Sequence, residues 1–342
     1  MRVVASADHV LHRPAAELSG SAFVPPWECP ERWERVATAL LATGHPIEVP
    51  DAAVDPALTA RVHAPDYLDF LANAWPRWRD SGGIGDALPS VFAVRRTSER
   101  VPGHIDGQLG HYAFAMDVAI TAGSWQAALS SAACADTARR RVSGGERAAF
   151  ALCRPPGHHA ARDLYGGYCF LNNAAIAAQG LLDDGATRVA VIDVDFHHGN
   201  GTQDIFYARD DVLFASLHGD PSLAFPYVLG HADETGSGAG EGFNLNLPLP
   251  HGCAAERWHA TLDAACRRVQ EAGAQALVVS LGVDAFHADP ISFFALRTGD
   301  FTRCGARLAA LGLPTVLVME GGYALEAIGA NVAATLAGFE SG

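Results

Sequence analysis

Short runs of β-branched and apolar residues recur at 2–5, 149–153, 189–194, 212–217, 243–247, 276–281 and 315–319, and Ala- and Leu-rich stretches of helical length lie between several of them, at 172–183, 254–272 and 300–311. This alternation constrains the fold more than any other feature of the chain. Turns bearing glycine, Asp184-Gly185, Ala272-Gly273 and Leu311-Gly312, separate each of those stretches from the next run, so the pattern reads as successive βαβ units. Strands that are apolar on both faces belong in a mostly parallel sheet covered by helices on both sides. In such an α/β sheet the functional groups sit just past the carboxyl ends of the strands.

The 342 residues suit one large domain spanning 1–342, with no internal repeat or low-complexity linker to divide it. A hydrophobic fraction of 49% against 18% charged residues predicts a well-buried core. Residues 75–108 break the rhythm with Gly, Pro, Arg and Ser, as in Asp80-Ser81-Gly82-Gly83, and read as a loop excursion. Excursions of this length are functional, interfacial or tolerated insertions.

Charge narrows the range of partners. All 24 cationic side chains are arginine, and against 38 acids they leave a net charge of −14. The longest basic cluster is Arg139-Arg140-Arg141, so nucleic-acid binding is disfavoured and small cations should be attracted. The seven cysteines form no CxxC pair and are expected reduced and buried. The N-terminus turns polar at Asp8-His9, and no apolar run reaches membrane-spanning length, which predicts a cytoplasmic protein that does not engage a membrane.

The chemistry gathers after the strands. In Ile192-Asp193-Val194-Asp195-Phe196-His197, residues 193, 195 and 197 share one face of an extended chain, so Asp195 and His197 can bind one metal from a strand end. Asp284, directly after the 276–281 run, supplies a third ligand and leaves room for water and substrate. Such an open site marks catalytic zinc, with iron(II) as the alternative. The adjacent His158 and His159 lie on a turn stiffened by Pro155-Pro156-Gly157 and suit a general base and acid near neutral pH. Tyr323, after Glu320-Gly321-Gly322, can donate to a developing oxyanion. Gly166-Gly167-Tyr168-Cys169-Phe170 reads as the wall of an apolar channel. The glycines at 236, 238, 240 and 242 precede a strand rather than follow one, so they lack the context of a phosphate-binding loop.

Taken together, segments 154–159, 166–173, 193–206, 216–220, 280–284 and 320–323 resemble the histone deacetylase and acetylpolyamine amidohydrolase family of the arginase-deacetylase superfamily. Val24-Pro25-Pro26 and Val94-Arg95-Arg96-Thr97-Ser98 extend the likeness to the acetylpolyamine branch in particular. The resemblance implies an eight-stranded parallel sheet, zinc held by Asp195, His197 and Asp284, and hydrolysis of an acetylated amine. It implies catalytic roles for His158, His159 and Tyr323, with Asp193 behind His158 and Asn200 behind His159. Asn200 stands where many histone deacetylases carry Asp, and a neutral amide supports imidazolium less than a carboxylate does.

The family also implies a monovalent cation, K+ or Na+, near Asp193, Asp195, His197, Ser216 and Leu217, and a second near Phe206, Arg209, Val212 and Phe243. Tyr168, Phe225, Gly167 and Ile291 are expected around a channel wide enough for a methylene chain. Asp106 and Asp117 are expected to face the distant ammonium of the substrate, each one methylene shorter than the anticipated Glu, with Glu17 as a third candidate. The implied enzyme is a homodimeric, zinc-dependent acetylpolyamine amidohydrolase acting on a small cationic acetylated amine, the excursion forming a dimer contact. The alternative is a protein or small-molecule acetyl-lysine deacetylase of the same family. A silent binding protein would have to lack one of these groups, and an arginase-like dinuclear manganese enzyme would need further metal-bridging residues.

Overall fold

A computed structural model describes residues 1–94, 98 and 100–342. Arg95, Arg96 and Thr97, which carry part of the family likeness, lie outside the described residues, as does Glu99. The strands are β1 (Arg2–Ala5), β2 (Glu17–Ser19), β3 (Ala22–Val24), β4 (Ile47–Glu48), β5 (Ala148–Leu152), β6 (Val189–Asp193), β7 (Val212–Gly219), β8 (Asn244–Leu249), β9 (Ala276–Leu281) and β10 (Thr315–Met319). Eight of them form one sheet in the order β4-β1-β5-β10-β9-β6-β7-β8, and β2 and β3 form a separate antiparallel hairpin. Every pairing within the large sheet is parallel.

The α-helices are α1 (Pro30–Ala42), α2 (Pro56–Val62), α3 (Pro65–Asp80), α4 (Ile105–His111), α5 (Ser124–Ser143), α6 (Asn173–Asp183), α7 (Asn200–Phe206), α8 (Ala255–Ala272), α9 (Thr298–Ala309) and α10 (Leu325–Ser341). Alternate residues of the central strands feed two separate cores. On β9, Val278 packs with α5 and α6, whereas Leu277 and Val279 pack with α1, α8, α9 and α10. Burial on both faces is why these strands read as unbroken apolar runs. Local signals set the helix ends: the Asn172 side chain accepts from Ala175 N to open α6, and Gly273, at φ 68°, closes α8.

Two regions differ from the sequence reading. The expected excursion at 75–108 contracts to 81–104, because α3 runs on to Asp80 with Trp75 and Trp78 packed on the core, and α4 begins at Ile105. The edge strand β4 and the β2–β3 hairpin, two and three residues long, are too short to carry a periodic signal.

The strand order matters for function. β5, β10, β9 and β6 are consecutive neighbours, so the loops that follow them open side by side at the carboxyl edge, about 4.8 Å apart from strand to strand.

Candidate active site

Val194 to His197 follow β6 and Gly282 to Asp284 follow β9, and the two segments meet across a pair of adjacent strands. Asp195, His197 and Asp284 are buried with their ligand atoms all within 4.8 Å of one another. His197 Nδ1 lies 3.0 Å from Asp284 Oδ2 and 3.3 Å from Asp195 Oδ1. Glycines make the space: a Cβ at Gly282 would strike the Asp195 carboxylate, and one at Gly321 would strike both carboxylates. Burial, then the neighbouring Asp195 charge, pushes the Asp284 carboxyl above its usual range. Two buried acids and an imidazole converging in this way are a donor set that a small divalent cation would neutralise.

The histidine pair sits on the loop after β5. His158 Nδ1 donates to Asp193 Oδ2 at 2.9 Å, and His159 Nδ1 donates to Asn200 Oδ1 at 2.6 Å. Both acceptors fix the tautomer, leaving each Nε2 free to act. Burial disfavours a charge on His158, but the carboxylates of Asp193 and Asp195 outweigh it and hold its pKa up at about 10. Burial and the flanking His158 and His197 drive His159 well below the ordinary value, with Asn200 opposing only weakly. The two rings, 4.1 Å apart, are thus polarised in opposite senses.

Tyr323 rides on the loop after β10. Burial keeps its phenol protonated to well above the ordinary pKa, and it therefore remains a donor. The Arg32 guanidinium of α1 lies 4.6 Å from the Tyr323 ring centroid and donates to Gly322 O and Glu320 O, both at 2.6 Å. Glu28 holds Arg32 and Arg154 together at 2.9 and 2.8 Å. Glu320 Oε2 accepts from Gly157 N at 2.7 Å and His158 N at 3.1 Å, tying the tyrosine loop to the histidine loop. The sequence reading passed over Arg32, Glu28 and Glu320 as site residues. Glu320, an acid directly after an apolar strand, carried a usable signal, whereas Arg32 sits inside an ordinary amphipathic helix and carried none.

A cavity of about 540 Å³ leads from the surface to these groups, lined among others by Tyr168, Phe225, Gly167, Ile291, Asp117 and Tyr323. The ring of Phe225 meets His159 edge-on at 5.1 Å. Gly167, at φ +56°, is required because a Cβ there would strike the His159 ring. Asp117 Oδ1 accepts from Gly167 N at 2.9 Å, and burial raises its pKa to about 6. Glu17 is buried and reaches the channel wall through Tyr168, whose hydroxyl donates to Glu17 Oε2 at 3.2 Å. Asp106 is not brought to this cavity: it lies exposed in the first turn of α4 beside His104.

Of the residues expected around the first cation, Ser216 pairs with Asp193 across the β6–β7 ladder and Leu217 follows it in β7. The second clusters at the opposite end of β7, where Arg209 N donates to Phe206 O and Phe214 N to Phe243 O. Val212 begins that strand. Among the described residues no helix is long and apolar enough to cross a membrane.

The family model for a histone deacetylase domain matches residues 26–339. An acetylpolyamine amidohydrolase of Mycoplana ramosa is 51% identical over 338 residues, covering 99% of both chains. Acetylpolyamine amidohydrolase 1 of Pseudomonas aeruginosa is 52% identical over 344 residues, again covering 99% of both. The crystal structure of an acetylpolyamine aminohydrolase from Burkholderia pseudomallei superposes with a TM-score of 0.95 at 40% identity, covering 100% of this chain and 99% of that one.

Proposed function

The chain belongs to the histone deacetylase family, and from that premise we propose that it is a zinc-dependent amidohydrolase that removes acetyl groups from acetylated polyamines. The observation that carries the substrate choice is the channel wall: it holds the half-buried acid Asp117 and, among its described residues, no arginine. A carboxylate kept partly protonated by burial gains its charge, and a favourable pairing, when an ammonium group arrives. The two closely related amidohydrolases named above point the same way.

Asp195, His197 and Asp284 would hold the zinc; when bound there it supplies Lewis-acid activation of the acetyl carbonyl and of the attacking water. His159, neutral and aimed into the cavity, takes the proton from that water at Nε2. His158, protonated through Asp193, assists protonation of the leaving amine. Tyr323 donates its phenolic hydrogen to the carbonyl oxygen as negative charge develops. Phe225 and Tyr168 hold the methylene chain and keep bulk water out. K+ or Na+ would occupy the two sites around β7 as structural ions.

The exposed apolar side chains around the mouth, Leu223, Tyr227 and Val228, with Phe23 on the hairpin, support a homodimer in which residues 81–104 contribute to the contact. The test is turnover of acetylputrescine, longer acetylpolyamines and acetyl-lysine peptides, side by side on zinc-loaded protein. Polyamines are expected to win in kcat/KM; a wide margin for the peptides overturns the assignment.

A further inference from the structure

One buried carboxylate outside the proposed chemistry joins the tyrosine loop to the mouth of the channel. Asp289 lies beyond β9 and is 7% exposed. Its Oδ2 accepts from Tyr323 N at 2.7 Å and from Ala324 N at 3.1 Å, while its Oδ1 accepts from Ile291 N at 3.2 Å. Ile291 and Tyr323 line the same cavity, Ile291 half-buried and Tyr323 buried. Pro290, between Asp289 and Ile291, has no N–H of its own to compete for the carboxylate.

The rest of the tyrosine loop is held from other directions. Arg32 takes the carbonyls of Glu320 and Gly322, Asp195 accepts from Gly321 N at 2.8 Å, and Val283 N donates to Gly321 O at 3.0 Å. None of these bonds reaches Tyr323 itself. Asp289 is the side chain that takes the Tyr323 amide, and it does so at the start of α10, where a negative charge is favoured.

We infer that Asp289 is a positioning residue that sets the Tyr323 hydroxyl against the substrate carbonyl and couples that placement to Ile291 at the channel mouth. The inference rests on the amidohydrolase reading for what Tyr323 does. An asparagine separates the two arms. It has one acceptor oxygen, which stays on the Tyr323 and Ala324 side where it makes two bonds, while its NH2 group faces the Ile291 N–H and loses that contact.

The experiment compares wild type, D289A, D289N, Y323F and the Y323F/D289A double variant, zinc-loaded, on whichever acetylated amine wild type turns over fastest. D289A is expected to lower kcat by about 10²-fold through misplacement of the phenol, with zinc content unchanged. In the Y323F background the same change should cost less than about threefold, because the group it positions is gone. D289N should keep kcat within about threefold and raise KM by about three- to tenfold, the worth of one lost hydrogen bond.

Amide hydrogen exchange gives a readout independent of turnover: the 323 and 324 amides should exchange faster in D289A and not in D289N, and the 291 amide faster in both. If D289A does not fold, D289N and its exchange pattern still decide. Equal losses from D289A in the wild-type and Y323F backgrounds, or unchanged exchange at 291, 323 and 324, would overturn the inference. A wild-type protein that turns over no acetylated amine defeats the functional reading instead, and the exchange pattern still judges Asp289.

Discussion

The floor and the mouth of the cavity share walls but are built by opposite means. The floor comes from the loops after β5, β10, β9 and β6, four neighbouring strands, and its Asp195, Asp284, His158 and Tyr323 are buried. The mouth is assembled from the hairpin, Asp117, the Gly167-Tyr168 turn, the 223–227 loop and Ile291 with Phe293, and Leu223 and Tyr227 there are exposed. The floor is therefore cross-linked by buried hydrogen bonds between loops that follow neighbouring strands, whereas the mouth combines the hairpin with loops that do not follow adjacent strands. On the proposed function, the reaction type rests on the strand-end loops of the floor and the choice of substrate on the segments of the mouth.

The largest effect should come from breaking the floor. Asp284→Ala removes one of three ligands and leaves Asp195 and His197 unable to hold a cation tightly, so turnover should fall by about 10³-fold or more, with zinc lost in parallel. Metal analysis beside kcat checks this; a variant that keeps both its zinc and its activity would mean that the triad is not the metal site. Next comes Tyr323→Phe, which takes away a donor and little else. It is expected to reduce kcat by about 10²- to 10³-fold with zinc retained. Unchanged turnover would remove Tyr323 from the mechanism and shift the functional weight of the floor onto the metal and the histidines alone.

The same contrast explains what could be read from the sequence. Asp195 and His197 are separated by one residue and Asp284 lies three residues past the end of an apolar run, so strand periodicity together with that strand-end position placed the triad on one edge. The parallel sheet was legible because both faces of its strands are buried and the runs are continuous. Asp289 was not legible, since its three partners, at 291, 323 and 324, include two from another strand loop, and Asp-Pro reads only as a turn. Arg32 was hidden for the same reason: its acceptors lie about 290 residues away, at 320 and 322. The hairpin escaped because three-residue strands have no period. Long-range hydrogen bonding is invisible to spacing arguments, and the bracing of the tyrosine loop by Arg32 and Asp289 consists of it.

A smaller effect tests the mouth directly. Asp117→Asn keeps an acceptor for Gly167 N but removes the charge, so KM for a cationic acetylpolyamine should rise about tenfold with kcat little changed. Stability should move the other way. Burial raises the Asp117 pKa from 3.8 to about 6, so the folded state holds its proton over a range in which the unfolded state has released it. Wild-type stability through this group is then full below about pH 4 and falls as pH rises to about 6. Asp117→Asn removes that loss, and its unfolding free energy should exceed wild type above pH 6 by on the order of 2 kcal/mol, read as a higher melting temperature, and match it near pH 4. A variant that is less stable at pH 7 would show that Asp117 already has a cationic partner in the resting protein.

The smallest effect concerns Asp106, and it decides whether the mouth is complete in one chain. Its side chain is 55% exposed, with His104 Nδ1 3.5 Å away, and it does not line the cavity. In a single chain, Asp106→Asn should leave KM for acetylpolyamines unchanged, since an exposed carboxylate at a distance is screened by solvent and salt. If two copies share an entrance, as the exposed apolar rim suggests, Asp106 of one copy can approach the substrate of the other, and KM should then rise by about two- to threefold. Steady-state kinetics across a dilution series, paired with sedimentation at the same concentrations, separates the cases. A KM effect present in the dimer and absent in the monomer assigns Asp106 to a composite mouth. No effect at either concentration confines substrate selection to Asp117 and the channel wall, and makes the contrast between floor and mouth a property of one chain.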